Sequence, residues 1–183
     1  MVPRSKPKQS KEATEKLLRK AGVTEKVALV GVRGYYKNSL GKPNANDIGI
    51  YDDAVFLVSP EVYAAFNANV DPSVLKPNVA TLVPGVHMYK KGKHGISRGP
   101  GYPALRPATS GERLPVRRWN KKTGDYYYDT GVAINVHKGS FRSTSSDGCQ
   151  TIYPSQYDAF INLVYSEMNR FSQKTIPYLL VEY

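Results

Sequence analysis

Only one stretch of this chain sustains a helical period. From Pro154 onward Tyr157, Phe160, Ile161, Val164, Met168 and Phe171 fall on a single apolar stripe, opened by Pro154-Ser155 at a helix start. Before it the apolar residues come in short branched or aromatic runs cut by glycine and proline, which is strand chemistry. VALVGV (Val27 to Val32), AVFLVS (Ala54 to Ser59), the two halves of TLVPGVHMYKK (Thr81 to Lys91) bent at Pro84-Gly85, Val132 to Val136 and IPYLLVEY (Ile176 to Tyr183) all read as strands. A shorter helix is expected from Ser10 to Ala21, with Ser10 as N-cap and Gly22 as its stop. Pro60 to Phe66 reads as one or two helical turns, and Gly95 to Pro107 as an irregular loop. The expectation is a β-rich α+β fold on a mixed or antiparallel sheet, with a C-terminal helix and a short N-terminal one. Residues 1–25 form a basic N-terminal segment, and 26–183 a single domain.

The sole cysteine, Cys149, lies in a polar turn, Ser145-Ser-Asp-Gly-Cys-Gln-Thr151, twelve residues after His137. A free thiol titrates near about 8.5, so a nucleophilic cysteine needs a neighbour that takes its proton, most often imidazole. Gly148 permits a tight turn, and the amides of Gly148 and Cys149 can point at a developing oxyanion. The plainer alternative is a buried thiol and an ordinary hydrogen-bonded histidine. A third alternative is a zinc set of His87, His94, His137 and Cys149, although no HExxH or CxxC spacing is present. His94 can also replace His137 as the base. Asp47, Asp52 and Asp53 lack the calcium-loop pattern and read as solvated turn carboxylates.

His137-x-Gly139 followed by Ser146-x-Gly148-Cys149, an apolar residue and the Pro154-Ser155 helix start resembles the catalytic segment of L,D-transpeptidases of the YkuD type. The resemblance covers about thirty residues. It implies a β-sandwich-like catalytic fold, Cys149 as the acylated nucleophile, His137 as its base, and the amides around Gly148 and Cys149 as the oxyanion hole, with Ser146 matching the serine of the signature. Asp147 stands where that family usually carries a second histidine, and Gln150-Thr151 where Ile-Arg or Leu-Asn is common. Phrases such as RGYY (Arg33 to Tyr36) and FNANVDPS (Phe66 to Ser73) resemble phage proteins of the endolysin kind. Together these imply a cysteine-dependent hydrolase of peptidoglycan stem peptides that needs no cofactor. Substrate contacts are expected from His87, Tyr89, His94, Trp119 and Arg142.

The net charge of +11 calls for an anionic partner, and both the bacterial wall and nucleic acid qualify. The competing reading is a nucleic-acid-binding phage regulator or defence inhibitor, in which Arg117, Arg118 and Trp119 face Tyr126 to Tyr128 across a hairpin with a basic tip. The plainer reading of that hairpin is a set of aromatics covering a sheet edge. No apolar run approaches the roughly 20 residues of a membrane span, and the basic N-terminus lacks the apolar region of a signal peptide. The expected location is therefore the host bacterial cytoplasm, with action on the wall after release through a holin-like route.

Overall fold

In β1 (Ala28–Arg33) and β2 (Asp53–Val58) every residue is buried, so both faces of these strands are covered. The computed structural model, which describes residues 1–77 and 79–183, shows how. The remaining strands are β3 (Tyr63–Asn69), β4 (Ala80–Leu82), β5 (Gly85–His94), β6 (Tyr102–Pro107), β7 (Arg113–Asn120), β8 (Asp125–Val132), β9 (Val136–Lys138), β10 (Gln150–Ile152) and β11 (Thr175–Glu182). Eight of them close into a barrel in the order β1-β11-β5-β6-β9-β10-β3-β2, and β4-β7-β8 form a separate sheet. The pairs β1/β11 and β9/β10 are parallel and the other barrel pairs antiparallel, so the sheet is mixed. The chain is thus a β-rich α+β protein. No helix among the described residues is long and apolar enough to cross a membrane.

Alternation along β1 and β2 sorts their side chains into two cores. Leu29, Val55 and Leu57 join Tyr89, Leu105, Val136, Ile152 and Tyr178 in the main cluster. Ala28, Val30, Val32, Ala54, Phe56 and Val58 form a second cluster, covered by Leu18 and partly by Leu17 of helix α1 (Lys11–Lys20). Ser10 caps α1 through its hydroxyl, which accepts from Ala13 N at 3.1 Å. Helix α2 (Pro154–Arg170) lays Tyr157, Phe160, Ile161, Val164 and Met168 onto the main cluster, with Phe160 edge-on to Phe66. This is the stripe its sequence period implies.

Three local expectations are corrected. Pro60 to Phe66 is not helical: from Tyr63 it is strand β3, because pairing with β2 across Val55/Phe66 and Leu57/Ala64 buries apolar side chains that one helical turn would leave exposed. The Gly- and Pro-rich run after His94 ends in strand β6, where Pro103 and Pro107 are tolerated within an antiparallel pairing to β5. Asp52 and Asp53 are fully buried rather than solvated.

Asp53 is one of three carboxylates, with Asp71 and Glu182, that act on Arg33, the largest fully buried side chain. Its guanidinium lies 3.1 Å from Asp71 and 3.2 Å from Glu182, and donates to the Val70 and Leu82 carbonyls. Asp53 accepts from Gly34 N and Val70 N, each at 2.7 Å. Burial lowers the Arg33 pKa, but Asp71, Asp53 and Glu182 outweigh it and hold it above its ordinary value. Removing one side of such a network strands the other charges in the interior. Arg33→Ala is therefore expected to destabilise the fold by about 3–5 kcal/mol, read as a drop in Tm of roughly 6–20 °C.

Asp52 accepts from Asp47 N at 2.8 Å through one oxygen while the other has no partner. Burial raises its pKa to about 7, against the Asp47 bond and aided by Asp71 and Asp47. The folded state holds this proton more tightly than the unfolded chain does. Its contribution is complete below the unfolded pKa of about 3.8 and is lost as pH rises through about 7. Asp52→Asn should flatten the fall in denaturant-derived stability across that window, a fall on the order of 4 kcal/mol for a shift of about three pH units.

Candidate active site

Strands β9 and β10 run side by side in parallel, pairing Val136 with Gln150 and His137 with Thr151. This register brings His137 and the turn that ends at Cys149 to the same end of the barrel, as the spacing of the two residues anticipates. His137 lies inside β9 rather than after a strand through Val136, because β8 ends at Val132 and residues 133–135 break the ladder. Cys149 and His137 line one cavity of about 640 Å³, together with Ser73, His94, Arg98, Tyr102, Ser146 and Asp147.

The two motif glycines answer to space. A side chain at Gly139 would put its Cβ 2.1 Å from the Tyr51 hydroxyl, which donates to the Ser140 carbonyl at 2.8 Å and anchors the following loop. Gly148 has φ +135°, and a Cβ there would lie 2.5 Å from the Ala80 carbonyl of β4. The turn is held further by Ser146, whose hydroxyl donates to the Cys149 carbonyl at 2.7 Å and accepts from Gly148 N at 3.0 Å. Gly148 N–H is therefore occupied, which corrects the expectation that it points at an oxyanion. The Cys149 N–H has no protein partner among the described residues.

His137 is buried and its Nδ1 lies 2.8 Å from the Lys138 carbonyl and 3.2 Å from the Tyr102 hydroxyl. A carbonyl only accepts, so Nδ1 carries the proton and Nε2 presents its lone pair. The backbone carbonyl is the orienting group that sequence alone leaves unnamed. His94 stacks on His137 with ring centroids 3.8 Å apart and planes 11° apart, and its own Nδ1 meets the Asn135 amide at 3.1 Å. Burial, then the adjacent His94, bring the His137 pKa down to about 4. His94 is also lowered, by burial and then by Arg106 and Arg98.

Cys149 Sγ–H donates to the Ala133 carbonyl at 3.6 Å. Ala133 has φ +54°, a backbone conformation that a residue with a Cβ adopts at a cost of about 1–3 kcal/mol. Burial pushes the thiol up to about 11, against a bond from the Asn135 backbone and helped by Asp147. The resting pair is thus neutral thiol and neutral imidazole, not the thiolate and imidazolium that a nucleophilic cysteine suggests at first.

Of the residues nominated from sequence, Cys149, His137, Ser146, Gly148 and His94 come together. The others do not join them. Tyr89 is fully buried and donates to the Ile134 carbonyl at 2.9 Å, so it supports the Ala133 to Asn135 segment without reaching the cavity. His87 is buried with its Nε2 2.7 Å from the Val83 carbonyl, and among the described residues no cluster of three His, Cys, Asp or Glu can hold a metal ion. Trp119 lines a different cavity, and Arg142 is exposed on the loop outside this one. Tyr102, Asn135, Ser73 and Arg98 were missed. No motif flags them, and only the closure of the barrel brings β6 against β9.

No protein-family model, no curated protein and no solved structure matches the chain.

The protonation states make a direct prediction. Alkylation of Cys149 by iodoacetamide should be slower at neutral pH than that of a free cysteine, and should keep rising toward pH about 11 without levelling near about 8.5. A plateau near 8.5 would show that burial does not govern this thiol.

Proposed function

We infer that the protein is a cysteine-dependent hydrolase of peptide bonds in bacterial wall stem peptides, with acyl-enzyme chemistry of the L,D-transpeptidase kind. One observation carries the reading: His137, with Nδ1–H committed to the Lys138 carbonyl, shares a cavity with the only thiol. The motif resemblance supplies the substrate class, and the net charge of +11 favours an anionic wall.

In this scheme the substrate carbonyl displaces the thiol from the Ala133 carbonyl. Sγ attacks the carbonyl carbon as Nε2 of His137 takes the thiol proton, so the charged pair forms only during the step. The oxyanion receives the Cys149 N–H. His137 then gives its proton to the leaving amine as the carbon–nitrogen bond breaks and a thioester remains. Water, deprotonated by His137, releases the acid and restores the thiol. A neutral base with a pKa of about 4 stays competent through the mildly acidic range.

The test is intact-mass analysis of the whole chain incubated with purified stem peptides, beside chromatography of the products. The expected result is a mass increase equal to the acyl fragment, located on Cys149, and released amine. Cys149→Ala should lose both, and His137→Ala should slow turnover about 10²–10⁴-fold. Turnover unaffected by Cys149→Ala would exclude the scheme, and a larger loss in His94→Ala than in His137→Ala would move the base to His94.

A further inference from the structure

A second cavity, of about 780 Å³, lies on the β7/β8 hairpin and is lined by Pro77, Trp119, Asn120, Lys121, Lys122 and Tyr127. The sheet that carries it has a ladder of its own beside the barrel, and β8 is exposed along almost its whole length. Tyr126 and Tyr127 are half exposed, Tyr128 is 81% exposed, and Trp119 meets only Tyr126, edge-on at 5.2 Å, among aromatic rings. These rings cover no core. Contiguous exposed apolar surface of this kind marks a place where something binds.

The cations around the cavity divide into two groups. Arg117 donates to Glu182 at 3.2 Å and lies 5.0 Å from the centre of the Tyr126 ring. Arg118 donates to Asp129 at 2.6 Å and to the Thr130 carbonyl at 3.2 Å. Both arginine heads are engaged, Arg117 with β11 and Arg118 within the hairpin. Lys121 and Lys122, at its tip, have no ion-pair partner among the described residues, and Asp125 faces Asn120 beside them. A nucleic-acid backbone needs a row of available cations, one for each phosphate it neutralises. Two lysines beside flat apolar rings suit a different ligand, one with apolar faces and widely spaced anions. Pyranose rings offer such faces through their C–H groups, and uronic or muramic sugars add a carboxylate.

The cavity is also tied to the one that holds Cys149. Pro77 lines the hairpin cavity, and its neighbour Lys76 pairs with Asp147 of the cysteine cavity at 3.0 Å. Ala80 N of β4 donates to the Asp147 carbonyl at 3.3 Å, so the small sheet is fastened to the wall of that cavity.

We propose that the hairpin cavity is a second binding site, for an acidic polysaccharide whose rings stack on Trp119 and Tyr127 and whose carboxylates are held by Lys121 and Lys122. The identity of that polymer as the wall glycan rests on the functional reading above, whereas the site itself does not. On that reading one polymer spans both cavities, sugar at the hairpin and peptide at Cys149.

Trp119 is the only tryptophan in the chain, so its emission reports this cavity alone. The full chain is titrated with wall glycan strands stripped of stem peptide, which bear free muramyl carboxylates, then with neutral N-acetylglucosamine hexamers and with single-stranded DNA. A saturable emission change is expected with the glycan strands, about tenfold weaker with the neutral hexamer. Tyr127→Ala should abolish it. Lys121→Gln with Lys122→Gln should weaken the acidic strands about tenfold and leave the neutral hexamer unchanged. No saturable change with glycan, equal affinity for acidic and neutral sugars, or tighter binding of DNA that falls steeply with salt would each overturn the proposal. A silent titration beside an acyl adduct on Cys149 would remove the hairpin site and keep the hydrolase; glycan binding without any adduct would keep the site and remove the hydrolase.

Discussion

Arg33 ties the two sheets together through a buried charge. It leaves the end of β1 and donates to Val70, beyond β3, and to Leu82 of β4, while its ion pairs reach Asp71 and Glu182 of β11. A guanidinium with no exposure is tolerable only when several acceptors surround it, since its desolvation costs several kcal/mol. That need draws the segment around Asp71 inward, and two residues later Ser73 meets the cysteine loop. Ser73 N donates to the Ser146 carbonyl at 2.7 Å, and Ser146 N to the Ser73 hydroxyl at 2.7 Å. The buried charge thus fixes the back of the loop whose front carries the thiol.

From inside the barrel a second set of bonds reaches the same turn. Gly31 leaves room for Tyr178, whose hydroxyl would lie 2.0 Å from any Cβ there. Tyr178 bonds the Gln150 side chain at 3.1 Å, Gln150 donates to the Gly148 carbonyl at 3.2 Å, and its backbone N–H donates to the Asn135 carbonyl at 2.8 Å. Tyr89 packs edge-on against Tyr178 and holds Ile134. Gln150 stands where the resembling family usually has an apolar residue, and its buried side chain is a satisfied polar link between Tyr178 and the turn. The departure bears on support of the thiol, not on the shape of the cavity.

What the sequence makes legible follows the range of the interactions involved. Helix α2, the Ser10 cap and the β7/β8 hairpin depend on neighbours within a few residues, and each stands where its pattern puts it. That His137 and Cys149 lie near one another is legible because β9 and β10 are close in the chain, and both line one cavity. Strand β6 was not, since its prolines and glycines argue locally for a loop and its pairing to β5 and β9 wins only through tertiary contact. The Asp52 and Asp53 pair looked like a solvated turn for the same reason: the arginine that draws Asp53 inward lies twenty residues away. Tyr102 and Asn135, which touch His137 and His94, carry no periodicity or spacing at all.

The stacked imidazoles set the electrostatic character of the cavity. With centroids 3.8 Å apart, protonating one ring opposes protonating the other, and partial burial opposes both. The Asn135 amide donating to His94 Nδ1 leaves the proton of His94 on Nε2, whereas the Lys138 carbonyl leaves that of His137 on Nδ1. Two adjacent rings thereby present opposite faces, one a hydrogen-bond donor and one an acceptor. Both rings are thus held toward the neutral form, His137 by burial and the adjacent His94, and His94 by burial with Arg106 and Arg98.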